Sequence, residues 1–175
     1  MAELYQGDLD FGRVALERLA GADLGPHVLV EELSYGAVAV AQRLDELAPR
    51  ALVLVGAAKR GRSPGTVERR CVRPRAMDPA HVRQAVLEAG TGYVSIDLVL
   101  EVCGGLGSLP DENVCFELEP ASTEVSERLS PAAEAAIEPA LAGVRAELER
   151  LQPPDDAGSL ASMASDSASS SLPRP

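Results

Sequence analysis

Apolar positions recur at helical spacing over residues 11–20, where Val14, Ala15, Leu16 and Leu19 fall near one side, and this predicts a helix with Asp8 or Asp10 as its cap. Residues 27–33, reading HVLVEEL, have the composition of a strand. A second helix is predicted over 36–47, with Val38, Ala41, Leu44 and Leu47 along one side. Residues 51–55, ALVLV, form an unbroken apolar run, as expected of a strand buried on both faces. Ser63, Pro64 and Gly65 make a turn, because Pro fixes φ and Gly tolerates positive φ. Residues 66–72 then read as a polar, more exposed strand.

Two further helices are predicted over 79–89 and 95–106. A strand over 113–118 alternates Val114, Phe116 and Leu118 against Cys115 and Glu117. Ser130 followed by Pro131 opens a last helix that runs to about Leu151, with the hydroxyl as N-cap and Pro at the first helical position. Strands alternating with helices predict an α/β fold of three layers, αβα, around a largely parallel central sheet. From Pro153 onward Pro, Asp, Ser, Ala and Gly dominate. That composition buries too little surface to offset ordering entropy, so residues 1–151 are expected to form one domain and 152–175 a disordered tail.

Charge and composition narrow the function classes. The 175 residues carry 16 Lys and Arg against 27 Asp and Glu, a net charge of -11. That balance argues against a nucleic-acid binder, which needs a basic face, and against docking to anionic lipid. No apolar run approaches the length needed to span a bilayer, and the first residues do not read as a signal peptide, so a cytoplasmic protein is expected. The three cysteines, Cys71, Cys103 and Cys115, contain no CxxC pair, which fits a reducing compartment. Cys103 and Cys115 fall on apolar elements and are expected to be buried, inert thiols. Gly104, Gly105 and Gly107 follow a helix instead of opening one, which suits a C-terminal cap better than a phosphate loop.

Four segments, in order, carry a resemblance. Gly7-Asp8-Leu9-Asp10-Phe11-Gly12 resembles the GDDGxG segment of nickel–iron hydrogenase maturation endopeptidases. Leu52-Val53-Leu54-Val55-Gly56-Ala57 followed by Pro64-Gly65-Thr66 is similar to that family's LVDA strand and PGT turn. Residues 114–120, VCFELEP, resemble its late strand, and Leu129-Ser130-Pro131 its C-terminal LSP helix. The resemblance spans nearly all of residues 7–150. It implies an α/β endopeptidase that trims a C-terminal extension from a hydrogenase large-subunit precursor, with the substrate's bound nickel as recognition point. The alternative is a non-catalytic relative that binds a hydrogenase subunit or maturation factor without cutting it.

The departures are chemical. The resemblance places metal ligands at three positions, occupied here by Leu9, Gly56 and either Thr91 or, in a second alignment, Arg75. Leu and Gly side chains donate nothing to a metal, and Thr is a poor ligand for nickel. Asp8 and Asp10 flank the first position and offer either a weak oxygen pair or a helix cap. His81 is the one histidine near a helix start and reads as solvent-facing. The family also begins with an apolar strand and a GxGN loop, for which the residues before Gly7 offer no counterpart, so its first strand is expected to be missing or the true start to lie upstream. Finally, Lys59, Arg60, Arg62, Arg69, Arg70, Arg73 and Arg75 form a basic island. It reads either as a dock for an acidic partner or as a turn and strand edge kept soluble by charge.

Overall fold

The structure is a computed structural model that describes residues 6–33, 35–91 and 94–152. A 3-10 turn, Gly7–Asp10, leads into α1 (Phe11–Leu19), and α2 (Ala37–Leu47) precedes β1 (Ala51–Ala57). β2 (Val67–Val72), α3 (Pro79–Ala89), α4 (Ile96–Leu106), β3 (Glu112–Leu118) and α5 (Pro131–Leu151) follow. The ends of these helices are written in the sequence. Asp78 accepts from the Ala80 amide ahead of Pro79, Ser95 from Leu98, and Ser130 from Ala133 ahead of Pro131. Gly107, at φ +81°, ends α4 in the left-handed conformation that glycine adopts without a Cβ penalty.

The sheet is small and mixed. β3 lies in the middle, parallel to β1 and antiparallel to β2. The expected largely parallel sheet is therefore not found among the described strands. The turn at 63–65 sends β2 back along β3, and no helix intervenes to carry the chain across in parallel. Alternation along β3 divides the core. Val114, Phe116 and Leu118 point into a cluster with α1 and α5, where Phe11, Ala15, Ile137 and Leu141 are fully enclosed. Gly143 of α5 sits against the Phe116 ring, where a Cβ would come within 2.6 Å of it. On the opposite side, Cys115 packs with Leu54, Ile96 and Leu100. A third cluster joins α2, α3 and α4 through Val40, Leu44, Ala85, Val99 and Val102.

Two expectations about strands are corrected. Residues 27–33 form no strand; they run without ladder partners, because no described strand lies beside them. β1 is not buried on all sides. Its apolar run is mostly half-buried, since β3 covers one edge and no described strand covers the other. Leu54 is nonetheless 5% exposed. Leu54→Ala is expected to cost about 2 kcal/mol, the low end for a buried leucine, because its cluster is small and can collapse. The shift of the urea midpoint measures this, and a value under about half a kcal/mol would place β1 outside the core.

Candidate functional site

The positions singled out from the sequence converge unequally. Gly7 to Asp10 pack against β1, and Gly56 lies in β1 in register with Glu117 of β3. Gly56 has no positive φ, so its backbone is that of an ordinary strand residue. Leu9 is half-buried in the 3-10 turn. Thr91 lies in the turn just after α3, where its hydroxyl donates to the Glu88 carbonyl at 2.8 Å. Arg75 lies exposed in the loop before α3. His81 is exposed, with Nε2 3.6 Å from Glu101 of α4.

Asp8 and Asp10 are both buried, and neither side chain caps α1, contrary to the expectation from their position. Asp8 reaches across the fold instead. Its Oδ2 accepts from the Ala121 amide at 2.7 Å, the Ser122 amide at 3.0 Å and the Ser130 hydroxyl at 2.9 Å, while Oδ1 accepts from the Ser130 amide at 2.7 Å. One carboxylate thus ties the turn at residue 8 to the loop after β3 and to the N-terminus of α5, where negative charge is favoured. The φ of +55° at Gly7 delivers Asp8 to this position, and a Cβ there would meet the Glu124 carbonyl at 3.0 Å. Asp10 is held by Arg13 one turn later, whose Nε donates to both oxygens at 2.9 Å.

Beside Gly56 stands a cluster the sequence did not single out. Glu117, 1% exposed, receives three arginines. Arg60 donates through Nε to Oε2 at 3.0 Å and through Nη2 to Oε1 at 2.9 Å. Arg70 donates through Nε at 2.9 Å and Nη2 at 2.5 Å, and Arg62 through Nη2 at 3.2 Å. Asp97, in the first turn of α4, takes Arg60 in a two-pronged pair at 2.7 and 2.8 Å and Arg70 at 3.3 Å. Glu119 accepts from the backbone amides of Arg60 and Gly61 at 2.7 and 3.3 Å. Burial alone would push the Glu117 carboxyl up; the guanidinium groups of Arg60 and Arg70 outweigh it and hold the carboxyl down at about 2. Four of the seven basic-island residues are thereby matched inside the molecule, counting Arg69, whose Nε donates to buried Glu147 at 2.7 Å. The sequence signal was present, since Glu117 is the charged residue among the otherwise apolar positions 114–118. Its partners lie far along the chain, and only the fold brings them together.

The thiols carry no activated group. Burial pushes Cys103 up to about 12 and Cys115 up to about 11, which keeps both protonated and unreactive at neutral pH. Cys71 is exposed on β2. Among the described residues no group of three or more His, Cys, Asp or Glu side chains is arranged to hold a metal ion. No helix among them is long and apolar enough to cross a membrane.

No protein-family model matches this chain, and no curated protein matches it in sequence. Solved structures do match it in shape. The maturating endopeptidase HybD of Escherichia coli superposes with a TM-score of 0.62 at 21% identity, covering 85% of this chain and 88% of HybD. The chain has the fold of the hydrogenase maturation peptidases. A hydrogenase 2 maturation peptidase from a Thaumarchaeota archaeon matches with a TM-score of 0.58 at 19% identity, over 84% of this chain and 93% of its own. The [NiFe] hydrogenase maturation protease HycI of Thermococcus kodakarensis matches with a TM-score of 0.57 at 19% identity, over 85% and 88% of the two chains. Gly56, which the sequence resemblance aligned with a ligand position, is the register partner of Glu117, whose carboxylate is engaged by arginines.

Proposed function

We propose that this chain is a divergent relative of the hydrogenase maturation proteases, built on their three-layer fold, and that it acts in the maturation of a nickel–iron hydrogenase by engaging the large-subunit precursor. The observation that carries this reading is the shared fold over most of both chains, together with the four ordered sequence segments. Nickel enters as part of the substrate.

A second reading, engagement without cleavage, is favoured by a separate observation. Leu9, Gly56 and Thr91 offer no strong nickel ligand, Asp8 is committed to four hydrogen bonds, Asp10 to Arg13, and Glu117 to three arginines. A carboxylate with its lone pairs occupied by protein donors must break those bonds before it can bind a metal. Incubation with a nickel-loaded large-subunit precursor separates the readings. Precursor shortened by mass spectrometry supports a working protease; a stable complex at full length supports the binder; neither shortening nor complex rejects both.

Nickel affinity gives a finer test. The unmodified chain is expected to bind nickel no tighter than micromolar, because tight transition-metal sites use three or more well-placed His, Cys or carboxylate groups. The combined change Leu9→Asp, Gly56→Asp and Thr91→His should create measurable binding in isothermal titration. The ordinary strand conformation at residue 56 removes one objection to that variant. Nanomolar binding by the unmodified chain would refute the lost-site reading. A folded variant with no gain would count against Thr91, and Arg75→His would take its place.

A further inference from the structure

Two carboxylates of different kind grip the planar guanidinium of Arg60. Its side-on edge, Nε and Nη2, donates to Glu117 at 3.0 and 2.9 Å. Its end-on edge, Nη1 and Nη2, donates to Asp97 at 2.7 and 2.8 Å. The Glu117 side chain is 2% exposed and the Asp97 side chain 48%. Glu117 is therefore the anchor, and the pair with Asp97 opens to solvent. Arg70 repeats the division, with Nε on Glu117 at 2.9 Å and Nη2 on Asp97 at 3.3 Å. The cap of α4 does not call on Asp97, because the Ser95 hydroxyl supplies it by accepting from the Leu98 amide at 3.1 Å. The cluster stands where the parallel pair β1 and β3 ends and α4 begins. In open α/β sheets ligands bind outside that end of the strands.

We propose that Arg60 and Arg70 form a receptor for a single carboxylate of a partner polypeptide, and that Asp97 is its built-in occupant, which gives way to the incoming group. A guanidinium held side-on by a buried carboxylate has its geometry set beforehand, so little further order is lost when its outer fork takes a ligand. That fork matches a planar carboxylate through two parallel hydrogen bonds. Exchange costs little, because an exposed ion pair adds little to stability and the incoming carboxylate restores the same two bonds. The net charge of -11 narrows the ligand further. It repels a polyacidic segment at long range, so the partner segment carries one carboxylate, a chain terminus or a lone Asp or Glu, on an otherwise uncharged stretch. Such a fork serves whichever protein the chain engages, so its failure in the test leaves the proposed role in hydrogenase maturation untouched.

The test titrates the full chain with three N-acetylated peptides: a glycine pentapeptide ending in a free carboxylate, the same peptide amidated with a central Asp, and an uncharged amide with a central Asn. The readout is the Nε–Hε NMR signals of Arg60 and Arg70. A carboxylate peptide should move both signals saturably, and the Asn control should leave them in place. The tighter of the two carboxylate peptides identifies the source as a chain terminus or a side chain. No saturable shift with either, or an equal shift with the control, would overturn the proposal, and this arm needs no variant. Asp97→Asn removes the occupant while Ser95 keeps α4 capped, and it should tighten binding by about fivefold to tenfold. A gain below about twofold would show that Asp97 does not compete for the fork and would overturn its role as occupant. Adding Arg60→Lys to that variant keeps a positive charge beside Glu117 but loses the fork, and should abolish the gain. Retained affinity in the double variant would place the binding elsewhere and refute the receptor.

Discussion

Asp8→Ala is expected to destabilise the protein by about 3–5 kcal/mol, among the largest effects available to a single substitution. The Asp8 carboxylate is fully buried and is the acceptor for the Ala121, Ser122 and Ser130 amides and the Ser130 hydroxyl. Each buried amide left without a partner costs roughly 1–3 kcal/mol, and the losses are not additive within one network. Asp8→Asn should cost less, because its amide oxygen still accepts while its NH2 group faces donors. Ser130→Ala should cost about 1 kcal/mol, since it removes the α5 cap but leaves the amide contacts of Asp8 in place. Urea midpoints of the three variants give the ranking. An Asp8→Ala cost below about 1 kcal/mol would show that residue 8 is not the strut between the turn, the loop after β3 and α5. It would return Asp8 to the pool of candidate metal ligands.

Glu117→Ala should be nearly as severe, at about 3–4 kcal/mol. Removing one member of a buried ion-pair cluster leaves charges that the fold had matched. Arg60, Arg62 and Arg70 are partly exposed and recover some hydration, which keeps the cost below that of a fully enclosed pair. Acid titration tests the same cluster from another direction. The carboxyl is held at about 2 in the folded chain against an ordinary 4.5, so folding keeps it ionised. Its contribution is complete above about pH 4.5 and is lost as pH falls toward 2, with an upper bound of about 3 kcal/mol. The stability gap between the parent chain and Glu117→Gln should therefore be widest near neutral pH and should narrow through that window. A gap that stays constant from pH 6 to pH 3 would mean the arginines do not hold the carboxyl down.

The candidate site was legible in the sequence only as a set of substitutions. Leu9 and Gly56 could be seen to lack ligand atoms, because side-chain chemistry belongs to the residue wherever it sits. The charged cluster beside Gly56 could not be seen. Arg60, Arg70, Asp97 and Glu117 are separated by up to 57 positions along the chain and meet only because β2 doubles back along β3 while α4 starts beside them.

The sequence by itself determined the helices and some of their ends, Ser130 opening α5 and the glycines closing α4. Periodicity and capping are local, and residues three or four apart settle them wherever the helix packs. It determined the alternation of β3 for the same reason. It did not determine that residues 27–33 join no ladder among the described residues, or that the sheet of described strands is mixed. A strand exists only with a neighbour, and the neighbour is chosen by the whole fold. Nor did it determine the work of Asp8, whose spacing suggested a cap for the next helix. The tertiary structure carried that carboxylate to three amides more than a hundred residues away, because their unmet donors offered a deeper well than the first turn of α1.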